Sequence, residues 1–309
     1  MTAAHAARSA GVPRTWLVPN DDDVGPLLWV DGRPADAARP AISALDRGFT
    51  LADGLFETMR AYDGTVFRLE RHLERLAAGA SVLGIAVPEH LADTIAAATE
   101  ALRRRGWADA ALRLTLSRGV GPRGLAPAVA DPTTVLTVHA LAPGEPLAAR
   151  AVRVRTAAGR RNEFAPTAGV KTLAYTDAVV ALAQARAVGA DDALFLDTAG
   201  HLSEATASNL FLVSGSTLCT PALACGVLPG ITRAAVLELA QTIGLDAREE
   251  ILLPRDLAAG DEAFLTSSIR EIAPIARADD HAMPNGAPGP VTARVADALA
   301  SLVARECRA

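Results

Sequence analysis

Lysine is almost missing from this chain. Of its 30 basic residues 29 are arginine, and the one lysine is Lys171. Arginine serves wherever only positive charge is wanted, but it keeps its proton and cannot form a Schiff base. The solitary amine therefore has two readings: a surface lysine left by a composition rich in alanine and arginine, or an amine kept for carbonyl chemistry. Cysteine is scarce as well. Cys219, Cys225 and Cys307 are odd in number and lack C-x-x-C spacing, which speaks against a disulfide framework and a zinc centre, so no metal site is expected. No long uncharged apolar run occurs, and no membrane span is expected. Residues 1–20 lack an apolar core followed by a small-residue cleavage site, so a cytoplasmic location is the expectation. An excess of positive charge is absent too: the net charge of −5 and pI near 5.7 argue against a nucleic-acid or anionic-membrane partner.

What is present is enough apolar material for a large core. With 309 residues, 50% of them hydrophobic, the chain has room for one large or two medium domains. Leu27–Val30 reads as a strand entering an Asp31-Gly32 turn. Residues 44–54, with Gly48 and Gly54 beside short polar residues, read as a loop leading into a strand over Leu55–Tyr62. Leu73, Leu76, Ala77, Ala80 and Leu83 recur at helical spacing and place His72 and Arg75 on one side of a helix over Glu70–Leu83. A second helix spans about Glu89–Arg105, and strands are expected over Ala111–Ser117 and Thr133–His139. Between them, Gly119, Gly121 and Gly124 match G-x-G-x-x-G, but Pro127 and Pro132 forbid the helix that a dinucleotide fingerprint needs. The stretch reads instead as a mobile loop presenting Arg118 or Arg123.

The proline and glycine content of residues 141–147 suggests a connection between a small domain over 27–140 and a larger one over 148–309, with 1–26 as an N-terminal extension. In the second half, Asp177–Val188 is an alanine-rich helix and Ala193–Asp197 a buried strand. His201–Val213 reads as a second strand with a polar middle that holds Glu204. A carboxylate between apolar strands is a rim residue, or one paired with an arginine, or one facing a cationic partner in a cavity. Gly226–Arg233 leads into a helix over Ala234–Ile243, where free amides beside Thr232 form either an anion site or an ordinary cap. Ala263–Ser268 is a strand running into hydroxyl residues, a second plausible anion contact, and Val291–Val303 is the closing helix.

Lys171 with Tyr175, the run Ser203–Phe211, Leu228–Arg233 and His72–Leu76, in that joint arrangement, resemble the signatures of class IV aminotransferases, the fold-type IV group of pyridoxal-phosphate enzymes. The resemblance runs from about Trp29 to Val303. It implies an α+β, two-domain fold: a small α/β N-terminal domain and a larger C-terminal domain with a barrel-like β core flanked by helices. It also implies a pyridoxal 5′-phosphate cofactor joined to Lys171 as a Schiff base. Glu204 would pair with the pyridinium nitrogen and Tyr175 would lie near the phenolic oxygen. Arg75, the amides of Ile231 and Thr232, the Thr232 hydroxyl and Ser268 would hold the phosphate.

For the substrate, the short Lys171 to Tyr175 spacing and the 117–124 loop look more like the D-amino-acid aminotransferase and lyase branches than the branched-chain one. Arg123 takes the place of the α-carboxylate arginine of D-amino-acid aminotransferases, but Leu125 stands where a histidine usually follows, which leaves Arg60 to complete or replace the trap. Phe56, Ile269 and Arg270 are further substrate-side candidates. The other readings are an Arg60 paired with a nearby acid and an Arg123 that is simply solvated. The expected activity is transfer of an amino group from a D-amino acid, with R-amines and branched-chain amino acids as further donors, to a 2-oxo acid. Aminodeoxychorismate lyase and branched-chain L-amino-acid aminotransferase are the alternatives, and a pyridoxal-phosphate-binding protein without turnover is the non-enzymatic one. A homodimer is implied by the resemblance.

Overall fold

The computed structural model describes residues 25–39, 42–126, 131–142 and 146–308. Most of the expected N-terminal extension and part of the expected 141–147 connection lie outside the described residues. β1 (Leu27–Val30) turns into β2 (Arg33–Ala35) through Asp31 and Gly32, both at positive φ, as a tight hairpin requires. Then come α1 (Arg47–Leu51), β3 (Gly54–Tyr62), β4 (Thr65–Val66), α2 (Leu69–Leu83), α3 (Leu91–Arg104), β5 (Asp109–Ser117) and β6 (Thr133–Ala140). The six strands form one antiparallel sheet in the order β2-β1-β6-β5-β3-β4. Leu76 and Ala80 of α2 and Leu91, Ile95, Ala98 and Leu102 of α3 pack on Leu55, Met59, Leu112, Leu114 and Leu116 of the sheet. The helical periodicity of the sequence thus becomes one apolar face per helix. Gly84, at φ 63°, ends α2 in the left-handed region that favours glycine.

The second half holds β7 (Val152–Arg160), α4 (Thr176–Ala187), β8 (Asp192–Leu196), β9 (Leu202–Ala205), β10 (Asn209–Ser214), β11 (Thr217–Pro221), α5 (Ile231–Thr242), β12 (Asp246–Glu250), α6 (Pro254–Ala259), β13 (Glu262–Ser267), β14 (Glu271–Ala278), β15 (His281–Ala282) and α7 (Pro290–Cys307). Its sheet runs β12-β11-β10-β13-β14-β7-β8-β9, with β15 on β14. The sheet curls so that β9, at one end, returns beside β10, and Ala205 N donates to Ser208 O at 2.8 Å. Leu194, Leu202, Leu210, Leu212 and Ile275 fill the inside of the curl. Outside it, α5 and α7 cover Phe211, Leu218 and Phe264, and Tyr62 and Phe67 from the first half enter the same cluster. The two halves therefore share packing.

Three local expectations change. The 44–54 loop contains the short helix α1, capped by Asp46 Oδ1, which accepts from Gly48 N. The single strand expected over 201–213 is two, β9 and β10, broken at residues 206–208. The helix expected from Ala234 starts a turn earlier, at Ile231, which brings Ile231 and Thr232 into its first turn.

Candidate functional site

The lysine is placed by the edge of the small sheet. Thr172 bridges Leu55, Phe56 N donates to Lys171 O at 3.0 Å, and Leu173 N donates to Gly54 O at 2.9 Å. β4 covers only the far end of β3, at Ala61 and Tyr62, so this near end is free to take the lysine segment. Lys171 Nζ stands 4.5 Å from the centre of the Phe56 ring and donates to the Tyr175 hydroxyl at 3.3 Å. Phe56 and Tyr175 meet edge to face at 5.0 Å. Burial, and after it the charge of Arg75, bring the amine down from 10.5 to about 8; Glu57 and Glu204 oppose the change, and Arg113 adds to it. Tyr175 moves the other way, up to about 12, by burial and then by the nearby Glu204 charge, so it keeps its proton at neutral pH.

Glu204 sits near the end of β9, buried, and burial raises its pKa. Oε1 is 3.1 Å from Arg161 Nη2, and Oε2 accepts from Asn209 Nδ2 and Leu228 N, each at 3.0 Å. Arg161 in turn lies over the Phe195 ring. The paired reading of this carboxylate is the one observed, and its hydrogen bonds tie β9 to the segment that leads into α5.

That segment forms a cup at the N-terminus of α5. Gly230 precedes α5 and supplies no side chain to cap it, so the first-turn amides of Ile231 and Thr232 have no intrahelical acceptor. A Cβ at Gly230 would overlap Asn209 Oδ1. Arg75 reaches the same place from α2, its Nη1 donating to Pro229 O at 2.9 Å. Its Nε and Nη2 donate to Glu57 at 2.8 and 2.6 Å, and Glu57 also contacts His72 Nδ1 at 2.7 Å. Ser268 follows directly on β13, and the Thr266 hydroxyl, buried in that strand, has no partner among the described residues. Just ahead of the cup, Asp197, His201 and Cys225 come within 4.8 Å of one another, with His201 Nδ1 at 2.8 Å from Asp197; the sequence spacing did not suggest this grouping.

The substrate-side candidates separate. Phe56 lies at the lysine. Arg60 is buried and engaged elsewhere: Nη2 donates to Asp109 at 2.7 Å, Nη1 donates to Ile269 O at 2.9 Å, and Glu271 lies at 3.6 Å. Pairing with a nearby acid is therefore what the structure shows for Arg60. Ile269 meets Arg60 through its carbonyl, and Arg270 is turned to Asp192 at 3.3 Å. Arg118, read as presented on the glycine loop, is buried and gripped by Asp53 and by the carbonyls of Leu83 and Gly84; Arg123, on the same loop, is exposed.

The sequence reading missed two residues. One is Glu57, the acid behind Arg75. The other is Arg113, which pairs across the strands with Thr58 and stands 3.7 Å over the Phe56 ring with no carboxylate beside it among the described residues. Both are charges in strands rich in apolar residues, a signal of the same kind as the one that singled out Glu204.

A lone amine with a depressed pKa, a buried acid and open helix amides near a guanidinium are compatible with an enzyme that works through a phosphorylated aldehyde cofactor. Residues 54–278 match the profile of the amino-transferase class IV family. The chain is 35% identical to a putative branched-chain-amino-acid aminotransferase of Methanocaldococcus jannaschii over 87% of its own length and 93% of that protein. It is 29% identical to a D-alanine aminotransferase of Bacillus licheniformis, over 89% and 96%. Among solved structures, the 4-amino-4-deoxychorismate lyase of Pseudomonas aeruginosa superposes with a TM-score of 0.78 at 35% identity, covering 89% of this chain and 98% of that one. The chain belongs to the class IV aminotransferases and has their two-part α+β fold of type IV, with the larger sheet curled into a half-barrel. It is a pyridoxal-phosphate-dependent enzyme. The residues present suit that cofactor: open amides and a guanidinium for a phosphate, a buried carboxylate for a ring nitrogen, and one amine for an aldehyde. No helix among the described residues is long and apolar enough to cross a membrane.

Proposed function

We propose that Lys171 is the cofactor lysine of a transaminase whose donors are α-amino acids, D-amino acids foremost, and whose acceptors are 2-oxo acids. In this reading Arg75, the Ile231 and Thr232 amides, the Thr232 hydroxyl and Ser268 hold the phosphate of pyridoxal 5′-phosphate. When bound, the cofactor supplies an electron sink for the charge left at a substrate Cα. Glu204 would keep a proton on the ring nitrogen, and Tyr175 would donate from its hydroxyl to the phenolic oxygen. Lys171 Nζ would move the Cα proton, and its lowered pKa enlarges the share of free amine that can accept it.

The observation that carries the substrate class is Arg113. A guanidinium beside the lysine, over the Phe56 ring and without a carboxylate partner among the described residues, suits a substrate that brings its own carboxylate. It favours amino acids over simple amines. Arg123, exposed on its loop, is the candidate for a second contact supplied across a homodimer, and residues 27–140 and 148–309 are the two domains between which the cofactor pocket lies. Preference for D-amino acids draws on the Lys171 to Tyr175 spacing, the 117–124 loop and the likeness to a D-alanine aminotransferase. A second reading, branched-chain L-amino acids, is favoured by the likeness to the archaeal protein, and a lyase reading by the Pseudomonas structure.

One panel separates these readings: half-reactions with D-alanine, D-glutamate, L-leucine and an R-amine, read as loss of the cofactor's visible absorbance, beside pyruvate release from aminodeoxychorismate. The proposal expects response to D-amino acids and little to the amine. Response to L-leucine alone, or pyruvate release without response to any amino donor, overturns it.

A further inference from the structure

The face of β3 that sends Leu55 and Met59 into the apolar core also carries Glu57, whose side chain is 1% exposed. A carboxylate in such a place is stable only if it is neutralised and hydrogen-bonded. α2 provides both. His72 and Arg75, three residues apart on one side of that helix, meet it together, with Arg75 Nε on Oε1 at 2.8 Å, Arg75 Nη2 on Oε2 at 2.6 Å and His72 Nδ1 on Oε2 at 2.7 Å. Burial works to raise the Glu57 carboxyl, but the bonds from His72 and Arg75 outweigh it and hold the pKa below the ordinary value. Burial also lowers the His72 pKa, so at neutral pH the ring gives Glu57 a hydrogen bond without a charge, and Arg75 is the cation that compensates the acid.

The guanidinium has five N–H groups in one plane. Glu57 takes one from Nε and one from Nη2, which fixes the plane, and Pro229 O takes one from Nη1. Two N–H groups are left, one on each terminal nitrogen, and the Pro229 contact holds Nη1 beside the residue that precedes Gly230 and α5. A free arginine side chain would lose rotamer entropy on meeting an anion there; this one has already lost it. We propose that Glu57, supported by His72, is the positioning residue that fixes Arg75 at the cup before α5, so that affinity for the cofactor's phosphate depends on a carboxylate acting through Arg75.

The proposal rests on the reading of Arg75 as a phosphate contact, and the test keeps the two apart. Dissociation constants are measured for the full chain, freed of cofactor, with pyridoxal 5′-phosphate and with pyridoxal, which lacks the phosphate. The ratio of the constant for pyridoxal to that for pyridoxal 5′-phosphate isolates what the phosphate contributes, and a general loss of structure moves both constants alike. Arg75→Ala is expected to lower the ratio steeply. Glu57→Gln is expected to lower it about tenfold or more, and the double variant to match Arg75→Ala alone. His72→Phe should lower the ratio partially and His72→Gln, which keeps a donor, should restore it; this pair carries the test if Glu57→Gln does not fold. If Arg75→Ala leaves the ratio unchanged, the phosphate reading itself is wrong. If Arg75→Ala lowers it while Glu57→Gln or His72→Phe weakens both ligands equally, Glu57 is only a structural support and the inference is overturned.

Discussion

Lys171 is kept at a cost to the fold, and the cost is calculable. Its amine is lowered from 10.5 to about 8 in the folded chain. At 1.36 kcal/mol per unit, the cofactor-free protein is less stable by about 3 kcal/mol wherever both the folded and the unfolded lysine are protonated, because the folded chain holds that proton more weakly. The figure is an upper one, because the side chain keeps partial contact with solvent. Its pH dependence follows from the direction of the change. Below about pH 8 both states are protonated and the full penalty applies; as pH rises toward 10.5 the unfolded chain also sheds its proton and the penalty disappears. Lys171→Met removes the charge and keeps most of the volume. Urea denaturation of the cofactor-free protein should therefore find the variant more stable than the parent by up to about 3 kcal/mol at pH 7, with the difference shrinking to near zero above pH 10.5. A difference that does not change with pH, or a variant destabilised at pH 7, would refute the reasoning, since it would mean that the amine is neither desolvated nor opposed by Arg75. A functional residue that destabilises its own fold is the usual trade between activity and stability.

Three further outcomes follow from the same geometry. Glu204→Gln should fold normally, keeping the hydrogen bonds of Asn209 and Leu228, yet lose roughly a hundredfold or more in kcat, measured with a donor from the half-reaction panel; unchanged turnover would remove Glu204 from the ring nitrogen. Gly230→Ala forces a methyl group onto Asn209 Oδ1, and thermal denaturation should record a loss of about 1 to 3 kcal/mol together with weaker cofactor binding. Arg60→Ala leaves Asp109 with Arg308 and Glu271 with Arg150 as their remaining cations and should cost about 1 to 3 kcal/mol of stability while KM for amino donors stays near its original value; a large KM change would place Arg60 at the substrate.

The parts of this molecule that a reader could find in the sequence are those where one residue breaks a local pattern. Lys171 stood out against 29 arginines, Glu204 against apolar strands, and α2 through a clean helical repeat. The break between β9 and β10 was hidden because residues 206–208, Thr-Ala-Ser, contain neither glycine nor proline to mark a turn. The start of α5 was hidden by its cap, since Gly230 stands there for lack of space and not as a hydrogen-bonding side chain. β12, with sequence Asp-Ala-Arg-Glu-Glu at the edge of its sheet, reads as a polar loop until β11 pairs with it. Glu57 and Arg60 share the difficulty of a β strand buried on both faces, whereas Arg113 lies on the more open face of β5; in each case alternation places a charge on a face but does not say whether helix, acid or cavity lies opposite. Only the partner from another element settles that, an acid for Arg60, an arginine and a histidine for Glu57, and an aromatic ring for Arg113.

The central claim is a covalent one, and it has a direct measurement. The protein is saturated with pyridoxal 5′-phosphate, reduced with borohydride, digested, and mapped by mass spectrometry. The account predicts one phosphopyridoxyl adduct, on Lys171, and none in Lys171→Ala. An adduct confined to another amine, or a Lys171→Ala variant that still binds the cofactor in a visibly coloured form and turns over, would contradict it.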